Sequence, residues 1–453
     1  MTFLYRKYSK KLEDFLANEP NKILLVNGAR QIGKSFIIRH VGQQKFKNFI
    51  EINLKADKEG NQVFAGVKST EDFYLQIGAR FGSRLGNFND TLIFLDEIQS
   101  YPHLMTLLKF LNQDKQYRYI ASGSELGVAL SQTPSVPLGS VAIDEMYPLD
   151  FEEFLLASDC SQNVIDEIKT AYDEKREISE SLHSFMLRQF KLYLLVGGMP
   201  EAVKTFIETR NIGIVRDIQE SIYKLYKIDA SQYDNENKLE IRKVYDLIPS
   251  NMENKKKRVV ISKISDGKRN KTFNEYADEF EYLTNSGVAL GVNAISNPKF
   301  PLLESEHKNL IKLYLNDVGL LTYILYGNNI NAVLNNVESI NLGSVYESVV
   351  AQELHSHGFS LKYYDNKQKG EVDFIIDDYK NLRALPIEVK SGKDYMTHSA
   401  LNTFLSTPDY NISSAIVLNN SREITRKGGI TYMPIYYVLA IEMYKGEDLI
   451  IPL

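Results

Sequence analysis

A single cysteine among 453 residues, Cys160, leaves no disulfide framework within the chain, which suits a reducing compartment. That thiol lies in a polar stretch, "ASDCSQN", and reads as an ordinary loop or helix-end residue rather than a nucleophile. No apolar run approaches the roughly 20 residues that a membrane-spanning helix needs. The opening stretch, "MTFLYRKYSKKLEDFLANEP", has basic residues but lacks the apolar centre of a signal peptide, so it reads as an amphipathic helix. The expectation is a soluble cytoplasmic protein with no membrane partner. Positive charge is not in excess either. The formal net charge is −5, so any nucleic-acid surface must be local. No internal repeat is visible.

What is present fits a multi-domain globular chain. Hydrophobic residues make up 43%, and the length suits roughly two to four domains. "ILLVN", "FIEINL", "TLIFLDE" and "YRYIASGS" are short apolar runs separated by helical patterns. Such alternation predicts a parallel sheet covered on both faces. This first domain is expected over 1–157, ending where the strand of "VAIDEMYPLDFEEFLLA" gives way to a helix behind Pro148. Residues 158–239 read as a charged helical segment, with Gly197, Gly198 and Pro200 turning between two helices. Residues 240–327 show short helices with "RVVISKI" and "GVALGVNAI", a helix-plus-hairpin pattern that predicts a winged-helix unit. "ENKKKR" (253–258) is a solvated basic loop with DNA contact as the alternative. The Asn-rich 328–342 reads as a linker. From Gly343 the order α-β-β-β-α-β predicts a compact α/β domain over 343–453.

"GARQIGKS" (28–35) matches G-x-x-x-x-G-K-[ST], follows an apolar strand and opens a helix. Gly28, Ala29, Arg30, Gln31, Ile32 and Gly33 can curl so that backbone N–H groups face a phosphate, aided by the helix N-terminus. Lys34 is then expected to reach the β- and γ-phosphates of ATP, and Ser35 to ligate Mg2+. "LIFLDEIQS" supplies Asp96, expected to hold Mg2+ through water, and Glu97, expected to polarise the attacking water. That second acid argues against a kinase. Ser122 or Ser124 of "IASGSEL" is placed to contact the γ-phosphate. For Arg30, phosphate contact and pairing with a surface acid both stay open.

The ordered stretches "NGARQIGKS", "IFLDEIQ", "SGSELGV", "PLDFEEFL", "LVGGMPEAV", "YLNDVGLL", "GSVYESVVAQEL" and "EVDFIID…IEVKSG" carry a resemblance over nearly the whole chain. It resembles the prokaryotic AAA-type ATPases that join a P-loop domain, a winged-helix segment and a C-terminal domain of unknown function similar to PD-(D/E)xK nucleases. The fold this implies is α/β: an N-terminal AAA-type parallel-sheet domain, a helical and winged-helix middle, and a restriction-endonuclease-like end. One departure stands out. Family members carry Gly-Arg ahead of the strand leading to the Pro-Leu-(Ser)-Phe stretch, and here the pair is Gly139-Ser140. Arg188, Arg210 and Arg216 are the candidates to replace an arginine acting from a neighbouring subunit, so an oligomer is allowed for.

The resemblance also assigns roles at the C-terminal end. Strand alternation puts Glu388 and Lys390 on one face, and Glu371 and Asp373 on one face of the strand before. A nuclease of this class would use Asp373 and Glu388 to ligate Mg2+, or Mn2+ in its place, with Glu347 helping from the preceding helix. Lys390 would orient or deprotonate the attacking water. His355 and His357, two residues apart on a helix, splay from each other and read as surface or C-cap residues. The functional expectation is an ATPase whose nucleotide state governs DNA binding or cleavage. The alternative is an ATP-driven regulator or scaffold whose nuclease-like domain is inactive and holds a protein or DNA partner.

Overall fold

The computed structural model describes residues 4–124, 126, 139–230, 238–254, 257–264, 272–335, 340, 342–366, 370–392, 395–396 and 398–446. Parts of three stretches singled out above lie outside them: Glu125 and 127–128 of "SGSELGV", 255–256 of the basic run, and 336–339 with 341 of the Asn-rich segment. Contacts divide the chain into two compact units, one comprising Met1–Tyr147 with Thr284–Val288, the other Pro148–Leu283 with Ala289–Leu453.

The first unit is built on β1 (Ile23–Asn27), β2 (Asn48–Asn53), β3 (Thr91–Asp96), β4 (Arg118–Ser122) and β5 (Val141–Glu145). Their order is β2-β3-β4-β1-β5 and every pair is parallel. All residues of β1 and β3 are buried, which is why four successive residues of each are apolar: a parallel sheet has helices on both faces. The helices Lys34–Lys45, Thr70–Phe81 and Pro102–Asp114 supply that cover. Ser69 caps the second through its hydroxyl and the Asp72 N–H, and Pro102 starts the third where no N–H is required. Register brings Asn53 beside Asp96 and Val26 beside Ser122. The carboxyl ends of β1 to β4 therefore share one edge of the sheet, where open α/β folds place their ligands. The amphipathic N-terminal helix is Lys7–Asn18, with Tyr8, Leu12 and Leu16 buried at i, i+4 and i+8.

The second unit opens with the "PLDFEEFL" stretch. The helix Phe151–Ala157 begins with a reciprocal capping box between Asp150 and Glu153. It belongs to this unit: Leu149 N–H donates to Gly198 O at 2.7 Å, and Phe151 N–H donates to Glu353 at 3.0 Å. Contacts group this helix with the second unit, which begins at Pro148. The helices Glu180–Val196, Pro200–Thr209, Ile212–Ala230 and Val318–Tyr326 pack around a buried junction. At its centre is Asp317, fully buried. One carboxylate oxygen accepts Gly198 N–H at 2.6 Å, and the other caps Val318–Tyr326 by accepting Leu320 N–H at 3.1 Å. Arg216 is buried beside it, donating to the carbonyls of Leu195 and Gly319 and to Gln219 and Thr322.

This unit also holds an eight-stranded mixed sheet: β6 (Ala289–Ile295), β7 (Glu306–Leu315), β8 (Lys362–Asn366), β9 (Gly370–Asp378), β10 (Arg383–Val389), β11 (Ala415–Asn419), β12 (Thr425–Lys427) and β13 (Ile430–Pro434). Its order is β12-β13-β11-β10-β9-β8-β6-β7. The expected winged-helix hairpin requires correction here. "RVVISKI" is not a strand; its second half is the short helix Ile261–Ile264. The hairpin present is β6–β7, and β6 pairs in parallel with β8, so it extends the C-terminal sheet instead of standing as a wing. The sequence of the final domain is as expected as far as β11, after the helices Gly343–Ser356 and Ser399–Ser406, with β12 and β13 added. The Asn-rich segment is not all linker: it contains the helix Asn331–Leu334, whose last carbonyl accepts Lys191 Nζ at 3.0 Å. No helix among the described residues is long and apolar enough to cross a membrane.

Candidate functional site

Residues 28–33 form a loop between β1 and the helix Lys34–Lys45, whose first two residues are Lys34 and Ser35. Two glycines make its path. Gly28 has φ +142° and abuts the Met146 carbonyl so closely that a side chain would collide with it. Gly33, at φ +94°, is the N-cap of the helix, a conformation that costs glycine little. Gln31, between them, also has positive φ, at 64°. Arg6 holds the loop from below, donating to Ile32 O at 2.9 Å and to Tyr147 O at 2.6 Å. Lys34 Nζ donates to the carbonyls of Gly28 and Ala29, both at 2.7 Å. Burial lowers its pKa to about 8, against the opposing pull of Glu97 and Asp96.

Asp96, the last residue of β3, accepts from three donors. Ser122 Oγ, at the end of β4, donates at 2.5 Å; Ser35 Oγ donates at 3.0 Å; the Asn53 amide, at the end of β2, is 3.4 Å away. Burial raises the Asp96 carboxyl, and the two hydroxyls oppose the rise. A hard-oxygen set of one hydroxyl and one carboxylate, adjoining a phosphate loop, fits Mg2+. Ser35 would hold the ion and Asp96 would act through water, supplying charge neutralisation on the phosphates.

Glu97 follows at φ +56°, left-handed backbone that a glutamate rarely adopts, before the single turn Ile98–Ser100. Gln99 Nε2 donates to Glu97 Oε2 at 2.6 Å and lies 3.5 Å from Ser124 Oγ. Arg30 Nε donates to the same Ser124 hydroxyl at 3.3 Å. Sequence had left Ser122 and Ser124 as equivalents; the structure separates them, one on Asp96 and the other in a chain with Arg30 and Gln99. Asn53 ends β2 and Gln99 lies in the turn after β3, and no motif in the sequence marks either of them. Ser140 stands in the turn before β5, and its carbonyl accepts Ile23 N–H at 2.9 Å. Of the replacement arginines, Arg188 and Arg210 are exposed, whereas Arg216 is 1% exposed and cannot reach another subunit.

In the C-terminal sheet, Asp373 on β9 accepts Val389 N–H at 2.9 Å, and Glu388 Oε1 pairs with Lys390 at 2.7 Å. Glu388 Oε2 is buried with no hydrogen-bond partner among the described residues. Burial raises the Glu388 carboxyl, the nearby Asp373 charge adds to the rise, and Lys390 opposes it. Glu347 lies on the buried face of Gly343–Ser356, where three groups from outside that domain's expected boundary engage it. Lys312 on β7 donates at 3.1 Å, and Tyr314 and Lys257 also bond to it. Burial would raise the Glu347 carboxyl, but Lys312 and Lys257 prevail and hold it low. Lys312 also pairs with Glu371 at 2.7 Å.

Among the described residues no three His, Cys, Asp or Glu side chains gather to hold a metal ion. Of the expected trio of Glu347, Asp373 and Glu388, the helix member Glu347 is engaged by Lys257 and Lys312. These residues as arranged do not fit a three-carboxylate Mg2+ or Mn2+ site. His357 is the half-buried C-cap of its helix, with its side chain covered and Nδ1 2.8 Å from Ile441 O. Cys160 is a buried residue at a helix end, with its thiol pKa raised by burial.

Residues 20–155 match a family described as "AAA domain". Residues 187–331 match a domain of unknown function (DUF8612), and 342–438 match another (DUF4143). The chain is 24% identical over 368 residues to the uncharacterized protein MJ1544 of Methanocaldococcus jannaschii, covering 79% of this chain and 72% of that one. Among solved structures, the Walker-type ATPase PABY2304 of Pyrococcus abyssi aligns at 14% identity and TM-score 0.43, covering 71% of this chain and 96% of that one. The Thermotoga maritima RuvB Holliday junction branch migration motor aligns at 14% identity and TM-score 0.29, over 64% and 90%. The part of the chain that carries the phosphate loop, residues 20–155, is thus similar to an AAA domain.

Proposed function

We propose that this chain binds ATP with Mg2+ at the edge of its first sheet, hydrolyses it, and uses the nucleotide state to govern how its second unit handles DNA. The observation that carries the reading is the Ser35–Asp96–Ser122 cluster beside Lys34, with Glu97 next to it. A phosphate loop alone binds; a buried carboxylate held by two hydroxyls, followed by an acid at the strand end, is what hydrolysis adds. Lys34 neutralises phosphate charge, and the loop N–H groups orient it. Glu97 polarises water, and Gln99 fixes where its carboxylate points. Arg30 and Ser124 lie where they can sense the terminal phosphate.

Steady-state ATP turnover with Mg2+ tests this. Lys34→Ala should abolish binding or turnover, and unchanged turnover would sink the reading of the loop. Glu97→Gln should still bind ATP but turn it over at least about 100-fold more slowly; a normal rate removes Glu97 from the chemistry. DNA binding with and without nucleotide tests the coupling.

The resemblance also implies metal-dependent DNA cleavage by Glu388 and Lys390, which the arrangement of Glu347, Asp373 and Glu388 does not favour. A second reading has a C-terminal domain that holds DNA or a protein without cutting it. One observation favours that second reading: Lys257 and Lys312 already neutralise Glu347. A cleavage assay with Mg2+ or Mn2+, with Lys390→Ala in parallel, decides between them.

A further inference from the structure

The short segment Thr284–Val288 is set apart from the chain on either side of it. It belongs to the first unit, whereas Leu283 before it and Ala289 after it belong to the second. It comprises the end of the helix Ala277–Asn285 and the turn that leads into β6. Gly287 makes that turn, with φ +73° and its N–H donating to Thr284 O at 3.0 Å. A left-handed glycine just past a helix is a common way to end one. The helix end does not, however, dictate what this glycine lies against. A methyl group on Gly287 would stand 3.0 Å from the backbone nitrogen of Ala29, and 3.7 Å from its Cα and Cβ.

Ala29 is the second residue of the phosphate loop, and its carbonyl accepts Lys34 Nζ. The loop has little room to give way. Gly28, just before it, abuts the Met146 carbonyl, and the Ile32 carbonyl is held by Arg6. Ordinary van der Waals contact begins near 3.4 Å, so a methyl at Gly287 would force the loop or the turn to shift by a few tenths of an ångström. A shift of Ala29 moves the carbonyl that holds Lys34. Gly327 gives the contrast. It follows the helix Val318–Tyr326 in a similar way, at φ +53° with its N–H on Tyr323 O, and among the described residues no atom lies within 4 Å of a methyl placed there.

We propose that Gly287 is a positioning residue of the nucleotide site: its turn bears on Ala29 and holds the opening of the phosphate loop in the shape that takes ATP. The inference rests on the reading of residues 28–35 as the ATP site. Two constraints meet at Gly287, a left-handed backbone and a close approach, and only the second concerns nucleotide. The residue acts through the loop and not on the phosphates.

The test is Mg-ATP binding to the full chain by calorimetry, for the parent, Gly287→Ala, Gly327→Ala and Lys34→Ala, with far-UV circular dichroism to check folding and steady-state turnover in parallel. A small displacement in a binding loop should weaken Mg-ATP about tenfold in Gly287→Ala, with most of the loss in KM rather than kcat. Gly327→Ala, which strains the backbone away from the loop, should match the parent. Parent-like affinity in Gly287→Ala, or an equal loss in both glycine variants, overturns the positioning role, while binding that needs Lys34 keeps the ATP site. No binding by the parent, or binding that Lys34→Ala leaves unchanged, overturns the reading of the loop and the inference with it. Hydrogen exchange of the parent needs no variant: Mg-ATP should slow exchange across 284–288 as well as 28–35, and protection of 28–35 alone overturns the inference.

Discussion

Replacing Asp317 tests the largest buried polar commitment of the second unit. Both of its oxygens are used by backbone N–H groups on different elements: Gly198 between two helices, and Leu320 in the first turn of Val318–Tyr326. Losing the helix cap costs about 1 kcal/mol. Leaving the Gly198 N–H buried and unpaired costs about 1–3 kcal/mol more. Asp317→Ala should therefore destabilise this unit by about 2–4 kcal/mol. Asp317→Asn should not rescue it, because asparagine offers one oxygen and turns an N–H donor toward the other N–H.

The effect has a pH signature. Burial raises the Asp317 carboxyl from 3.8 to about 6, with the Gly198 and Leu320 N–H groups opposing the rise. A raised acid binds its proton more tightly when folded. Its contribution is full below pH 3.8 and is lost as pH climbs through about 6. The cost of Asp317→Ala should thus be larger at pH 5 than at pH 7.5 by about 1–1.5 kcal/mol. Urea titration read by hydrogen exchange at Gly198 and Leu320 measures opening of this junction directly. Variants within about 0.5 kcal/mol of the parent at both pH values would refute the argument, since that is the range of surface substitutions.

Three further changes probe the two sites. Ser122→Ala removes the short hydroxyl bond to Asp96; such bonds to charged groups contribute about 1.5–3 kcal/mol, so turnover at saturating ATP and Mg2+ should fall about 10–100-fold, and an unchanged kcat would demote Ser122 to core packing. Gln99→Ala should lower kcat with little change in KM, and should add nothing in a Glu97→Gln background; additive losses would separate the two residues. Lys312→Met leaves Glu347 and Glu371 buried with less charge compensation, an expected loss of about 3–5 kcal/mol in a denaturant titration; a stabilised variant would mark the lysine as functional rather than structural.

The phosphate loop and the Asp96–Glu97 pair were legible because they are local. A glycine pair, a strand of four apolar residues ending in Asn27 and a helix start fix that geometry within about ten positions. Local signals also gave the C-terminal strands through β11. What sequence missed lies in long-range partner choice. "GVALGVNAI" and β7 announce a hairpin, but nothing local says that β6 will pair with β8, some 70 residues later. "RVVISKI", rich in β-branched residues, reads as extended, yet tertiary context makes its end helical. Lys257, Lys312 and Tyr314 reach Glu347 across 90, 35 and 33 residues. No spacing rule covers such distances, so a trio of acids in the right order suggested a metal set that the folded chain occupies with its own ammonium groups.

The β6–β7 hairpin has a consequence for how the chain can be inherited and dissected. The two matched domains of unknown function meet between residues 331 and 342, yet their shared sheet runs through that seam. A fragment starting at Gly343 would leave behind the strand that pairs with β8 and both lysines, Lys257 and Lys312, that neutralise Glu347. It would present β8 as a bare edge beside Tyr363 and Tyr364, both buried in the intact chain. An unpaired edge with apolar neighbours invites association with other chains. The C-terminal region is therefore not a cassette that recombination could move alone, and a soluble excised form should begin no later than the strand at Ala289.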